Sequence, residues 1–124
     1  MGSQSYRDLL AWQHAIELVD LIYRCTRDWP RDEAFGLTSQ TRRAVVSVPA
    51  NIAEGQGRNG RREFCNFLGI ANGSLCELET LVVIARRQDY LTAEQEILIN
   101  QQSRRVASLL NGLIKSLRSA DLMS

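Results

Sequence analysis

The sequence predicts an all-α fold, an antiparallel up-down-up-down four-helix bundle. Three observations predict it. Apolar residues recur at three- and four-residue steps in four successive stretches. No stretch alternates apolar and polar residues with the period of two that a half-buried strand needs. The breaks between stretches are short and carry helix-stopping or helix-starting residues: Pro30, the run Gly55-Gln56-Gly57, and Thr92.

The first helix is expected over about 6–28. Ser5 and Asp8 have the N-cap and N3 spacing of a capping-box variant. Leu9, Trp12, Ile16, Val19 and Tyr23 form its core stripe, and Pro30 closes the segment after Trp29. The second helix is expected over about 33–54, capped by Asp32. Its stripe is Leu37, Thr41, Ala44, Val48 and Ile52. Pro49 removes one backbone donor from its interior and predicts a kink near Val45. The glycines at 55 and 57 are expected to end it.

The third helix is expected over about 60–88, with Phe64, Phe67, Leu68, Ala71, Leu75, Leu78, Val82 and Ala85 in a heptad-like stripe. The fourth, about 93–118, opens on the capping box Thr92-Ala93-Glu94-Gln95. Leu98, Gln102, Val106, Leu109, Leu113 and Leu117 carry its stripe. With 124 residues the chain is expected to be a single domain, 1–124. It is long enough to bury a core without a disulfide or a metal.

Composition narrows the function classes. Fifteen basic against fourteen acidic residues leave a formal net charge of +1. That argues against a strong, indiscriminate polyanion binder. Lys115 is the only lysine. Arginine suits bidentate contacts to phosphate or carboxylate, although a GC-rich coding sequence produces the same bias. Cys25, Cys65 and Cys76 include no CxxC pair. Cys65 and Cys76 lie on one predicted helix roughly 16 Å apart along its axis, too far to bridge. A reduced, cytoplasmic setting is expected. No signal peptide is read at the start, and the longest apolar run, Leu81 to Ala85, falls short of a membrane span, so no membrane association is expected.

Several positions carry apolar residues beyond one stripe: Leu18, Leu21 and Ile22; Ile70, Leu81 and Ile84; Ile97 and Ile99. This surplus points to a subunit interface, against the blander reading of a wide core stripe. Gln40, Ser47, Asn51 and Glu54 align at heptad spacing as a polar seam, with Glu63, Asn66, Gly73 and Glu77 a comparable line on the third helix. Pairing through Arg42 or Arg43 and the carboxylates is expected to satisfy it. A structural network is the favoured reading, ahead of a ligand site. Gly69 and Gly73 each cost about 1 kcal/mol inside a helix, so a close backbone approach by another helix is expected there.

Arg58, Arg61 and Arg62 surround Asn59 and Gly60 at the corner between the second and third helices. A helix N-terminus there adds free N–H groups and a positive dipole end. This corner is the best local candidate for binding nucleic-acid phosphate, weighed against a solvated charged loop. No metal, cofactor or catalytic residue is expected. The Glu-x-x-His pairs of a di-iron bundle are missing, as are a glycine-rich phosphate loop and a nucleophile triad pattern. Arg7 and His14 make an arginine-six-histidine spacing that resembles the ribonuclease motif of HEPN proteins. That motif sits on a late helix, and here it falls on the first, so a surface or interface histidine is expected.

The run GLTSQTRRAVVSVPANIAEGQGR from Gly36 to Arg58, with FLGIANGSLCELET downstream, resembles the small four helix bundle protein family, also called 23S rRNA-intervening-sequence proteins. The resemblance spans Leu10 to about Leu91. It implies a bundle that assembles into closed rings of five, and it carries no established chemistry. The family name implies a link to structured RNA, from where some members are encoded. A non-enzymatic oligomeric scaffold associating with RNA or DNA is therefore the leading expectation. The alternative is a protein-interaction adaptor, because the family looks related to accessory proteins of diversity-generating retroelements, which engage a reverse transcriptase.

Overall fold

The structure is a computed structural model that describes residues 5–123. Four helices make the fold: α1 (Leu10–Thr26), α2 (Leu37–Gln56), α3 (Arg61–Arg87) and α4 (Ala93–Met123). Two 3-10 turns, Tyr6–Asp8 and Arg31–Glu33, precede α1 and α2. Among the described residues there is no strand. Backbones approach closely between α1 and α2, α2 and α3, α3 and α4, and α1 and α4, while the diagonal pairs do not. That square arrangement, with short turns, is the up-down-up-down topology.

The core runs down the middle of the square. Val45, Val48 and Ile52 from α2 meet Leu68, Leu75, Leu78 and Val82 from α3, all buried. From α1 come Ala15, Leu18 and Ile22; from α4 come Ile99, Val106 and Leu110. The stripes expected on α2 and α3 are the buried ones, except that Phe64 and Phe67 are only half-buried. Those on α1 and α4 need rotating. Leu18, Ile22 and Ile99, which looked surplus, are in the core, as is Leu81 of α3. Tyr23 and Leu98, on the expected stripes, are exposed. Small Ala11 and Ala15 form part of the inward face of α1, and a pattern search for large apolar residues passes over them.

Two helix starts also differ. Ser5 accepts from Arg7 N at 3.2 Å and caps only the 3-10 turn. Gln13 Nε2 donates to Arg7 O at 2.8 Å, and the Tyr6 ring meets Trp12 edge-on at 5.2 Å, so the turn folds back on α1 instead of extending it. Asp32 does not cap α2. Glu33 does the work from outside the helix: its Oε1 accepts from Leu37 N at 3.1 Å. Its Oε2 accepts from Tyr90 OH at 3.0 Å. The Thr92 capping box forms as expected, with Gln95 N donating to Thr92 Oγ1 at 3.1 Å and Thr92 N to Gln95 Oε1 at 2.9 Å.

α2 continues unbroken through Pro49 and past Glu54. Gly55 does not end it. Gly55 is buried, and a Cβ built there would lie 2.6 Å from Phe67 Cβ and 3.1 Å from Phe64 Cδ1. This is the close helix approach of the molecule. The approach expected at Gly69 and Gly73 is not made within the chain: both are exposed, and an added Cβ meets nothing within 4 Å. At the corner after α2, Gly60 has φ +103, a conformation side chains disfavour, immediately before α3 begins.

α3 is unusual for how little of it is covered. An 18-residue window has mean hydropathy 1.5, and 33% of that window is buried. By length and composition alone this helix is apolar enough to cross a bilayer, contrary to the expectation from its longest apolar run. Glu77 and Glu79 stand in its middle, where a lipid-facing carboxylate is costly, and its other face is the bundle core.

Candidate nucleic-acid interface

The corner between α2 and α3 brings Arg58, Arg61 and Arg62 together, all exposed. No side chain caps the first turn of α3, so its leading N–H groups point at solvent or at a ligand. The three arginines are not equivalent. Arg58 Nη2 is 2.8 Å from Glu54 Oε2, one turn back on α2, and its guanidinium lies 5.1 Å from the centroid of the Phe67 ring. Carboxylate and ring hold Arg58 in place and partly neutralise it. Arg62 makes no ion pair among the described residues. Glu54, expected in the polar seam, is thus turned to Arg58 instead.

The seam is real over a shorter length. Ser47 Oγ and Ser74 Oγ are 2.8 Å apart. Asn51 Nδ2 donates to Ser47 O at 2.8 Å and to Ser47 Oγ at 2.9 Å. The partner across the helix pair is the Ser74 hydroxyl, not a carboxylate. Gln40, Arg43 and Glu77 line a shallow depression with Ala44 and Ser47, and Arg43 and Glu77 form no direct ion pair. Arg42 points the other way. Its Nε donates to Thr26 Oγ1 at 2.9 Å, and its guanidinium lies 4.5 Å from the Tyr23 ring centroid. Ser47, Asn51 and Ser74 thus form a hydrogen-bonded polar contact between α2 and α3.

His14 is on α1 with Nδ1 3.3 Å from Glu17 Oε2. Gln102 Nε2 of α4 reaches His14 O at 2.9 Å. Arg7 meanwhile sits over the Tyr6 ring at 5.9 Å. The two residues of the arginine-six-histidine spacing are thus engaged with different neighbours. Among the described residues no group of three His, Cys, Asp or Glu side chains is placed to hold a metal. Cys25, Cys65 and Cys76 are free thiols. Burial pushes the Cys25 thiol above its ordinary pKa, against a smaller opposing pull from Arg24.

The molecule is an all-α four-helix bundle with an arginine-bearing corner between α2 and α3. Residues 7–112 match the model of the 23S rRNA-intervening sequence protein family, and the chain belongs to that family. Among solved structures it is similar to a protein of unknown function from the S23 ribosomal protein family of Bacteroides thetaiotaomicron. The two are 28% identical, with a TM-score of 0.76, covering 86% of this chain and 99% of the other. A comparison with curated proteins finds no match.

Proposed function

We propose that the protein is a non-enzymatic, ring-like homo-oligomer, expected to be pentameric, that acts in the cytoplasm as a scaffold associating with structured RNA. The observation that carries the nucleic-acid reading is the arginine corner at an uncapped helix start. Guanidinium groups and backbone N–H groups there can share one phosphate. Ring symmetry repeats a modest patch several times, so avidity offsets weak single sites. Membership in a family named for ribosomal RNA intervening sequences supports the choice of RNA. The exposed apolar face of α3 supports the oligomer, and it equally favours the second reading, an adaptor that docks a protein partner.

Fluorescence anisotropy with labelled RNA across a salt series tests the first reading. The triple variant Arg58→Ala/Arg61→Ala/Arg62→Ala is expected to bind more weakly, with a flatter salt dependence, while circular dichroism stays unchanged. Equal binding by this variant, or none by the wild type at low salt, hands first place to the adaptor.

A further inference from the structure

Arg42 leaves α2 on the side facing α1, and α1 holds its guanidinium in two ways. The guanidinium carbon lies 4.5 Å from the centroid of the Tyr23 ring. Its Nε donates to Thr26 Oγ1 at 2.9 Å, and that buried hydroxyl donates onward to Ile22 O at 2.8 Å. With its one proton directed at Ile22, the Thr26 oxygen is fixed as the acceptor for Arg42. Ring and hydroxyl thus set the plane and the direction of the guanidinium. Its Nη edge stays available, because Arg42 forms no ion pair among the described residues. A long side chain loses rotamer freedom when it grips an anion. For Arg42 the fold has already imposed that order.

Neighbouring positions on a helix point in different directions, yet Arg43 reaches the same place. Arg42 and Arg43 both line a depression of about 400 Å³ between α1 and α2, with Tyr23, Val46 and Ser47. Arg43 is exposed and, like Arg42, has no ion pair among the described residues. Two acids stand at the borders. Glu77 lines an adjoining depression that shares Arg43 and Ser47. Asp20, a turn before Tyr23, lines a depression on the α1–α4 side with Arg24. Neither pairs with Arg42 or Arg43, and no carboxylate lines the depression itself. Two guanidinium groups on one surface repel unless an anion lies between them. Beside them Tyr23 and Val46 remain 38% and 41% exposed, an apolar wall next to the charge.

We propose that this depression binds a nucleoside carrying a terminal phosphate, with Arg42 and Arg43 on the phosphate and Val46 and Tyr23 against the nucleoside. Arginine forks match phosphate oxygens in pairs. A phosphate monoester carries roughly 1.5–2 negative charges at neutral pH, whereas a diester carries a single one, so two unpaired guanidinium groups favour the monoester. The volume lies in the range of small-ligand sites, about 300–1,000 Å³. The apolar wall suits a planar base better than a bare sugar. The site is independent of the RNA reading of the corner: Arg42 and Arg58 are roughly 24 Å apart along α2. The same chemistry is offered by a free nucleotide and by the 5′-phosphorylated end of a strand.

Equilibrium dialysis with radiolabelled AMP tests the site, with circular dichroism as the folding check on each variant. The wild type is expected to bind saturably, with a Kd below about 1 mM. Arg43→Gln should weaken binding by about tenfold, the loss of one charged hydrogen-bonding partner. Thr26→Val keeps the side-chain shape and the charge of Arg42 but removes the acceptor that orients it, and should weaken binding by a smaller factor. Arg104→Gln/Arg105→Gln removes another adjacent arginine pair, one lining a depression on α4, and should bind as wild type. Competition distinguishes the sources. Stronger displacement by a 5′-phosphorylated RNA oligonucleotide than by unlabelled AMP assigns the site to a strand end, and the reverse assigns it to a free nucleotide. Saturable binding that Arg43→Gln leaves unchanged overturns the proposal, as does no binding by the wild type or equal loss in the α4 variant. Displacement by adenosine as effective as by AMP, or by the 5′-hydroxyl oligonucleotide as effective as by its phosphorylated form, overturns the phosphate monoester. Unchanged affinity in Thr26→Val overturns the oriented Arg42 as a ligand.

Discussion

A methyl group added at Gly55 meets Phe67 Cβ at 2.6 Å, closer than two carbons pack, and Phe64 O at 3.3 Å. None of these atoms is the free end of a flexible chain, so α2 and α3 must move apart to admit it. Gly55→Ala is therefore expected to destabilise the bundle by about 1–3 kcal/mol, read as a lower urea midpoint. Gly69→Ala and Gly73→Ala behave oppositely in the isolated chain. Nothing lies within 4 Å of the new Cβ, and each gains helix propensity worth up to about 1 kcal/mol. Equal midpoints for all three variants would contradict this packing. Glycine spacing in the sequence did not point to the close approach made within the chain, for a physical reason. A glycine two residues from another near a helix end reads as a terminator, and only the facing phenylalanines reveal that Gly55 lies inside α2. Ser74 was missed in the same way, because a serine hydroxyl that locks two helices has no local signature.

At the scale of elements, the helices were legible and their starts were not. Period and length identify α1 to α4, and the Thr92 capping box forms as its spacing dictates. α2 starts four residues later than Asp32 and Glu33 suggest, because Glu33 works as a tie between connections. Its carboxylate receives Leu37 N from α2 and the Tyr90 hydroxyl from the α3–α4 turn. Tyr90 in turn packs on Trp29, with ring centroids 5.7 Å apart. A contact between residues so distant in sequence leaves no trace in local pattern. The tie has a pH signature. The hydrogen bond to Glu33 raises the Tyr90 pKa, helped by burial and by the negative charges of Glu33 and Asp32. The folded state thus holds the phenolic proton more tightly than the unfolded state. Its contribution is complete below the ordinary tyrosine range near pH 10 and is lost as pH rises through the folded pKa. Tyr90→Phe should be less stable than wild type at neutral pH, and the gap should narrow at alkaline pH. Denaturant unfolding across that range checks it, and a constant gap would refute the tie.

For the whole molecule, the question is what covers α3. The bundle satisfies its core with one face of each helix, and Ile70, Val83 and Ile84 remain 51%, 51% and 41% exposed on the other side of α3. Gly69 and Gly73 lie among them with open space above, so a neighbouring backbone can come close there at little steric cost. The surplus apolar positions read from sequence shrink once Leu18, Ile22, Leu81 and Ile99 are placed in the core. What is left includes a group on α3 and Ile97 and Leu98 near the start of α4, with Leu10, Phe35 and Val46 exposed elsewhere. A face that meets a different face of the next copy generates a ring when the rotation closes, whereas a self-complementary face stops at a dimer. The pentamer implied by the family requires the first kind. Light scattering is expected to give a mass several times the 14.0 kDa of one chain, consistent with five copies. The variant Ile70→Glu/Val83→Glu should reduce that mass to one chain while leaving the helical circular dichroism intact, since neither side chain belongs to the core. A wild type that scatters as a single chain would remove the ring, and with it the avidity on which weak RNA contacts depend. A double variant that stays assembled would move the interface off α3 and leave this apolar face for a protein partner.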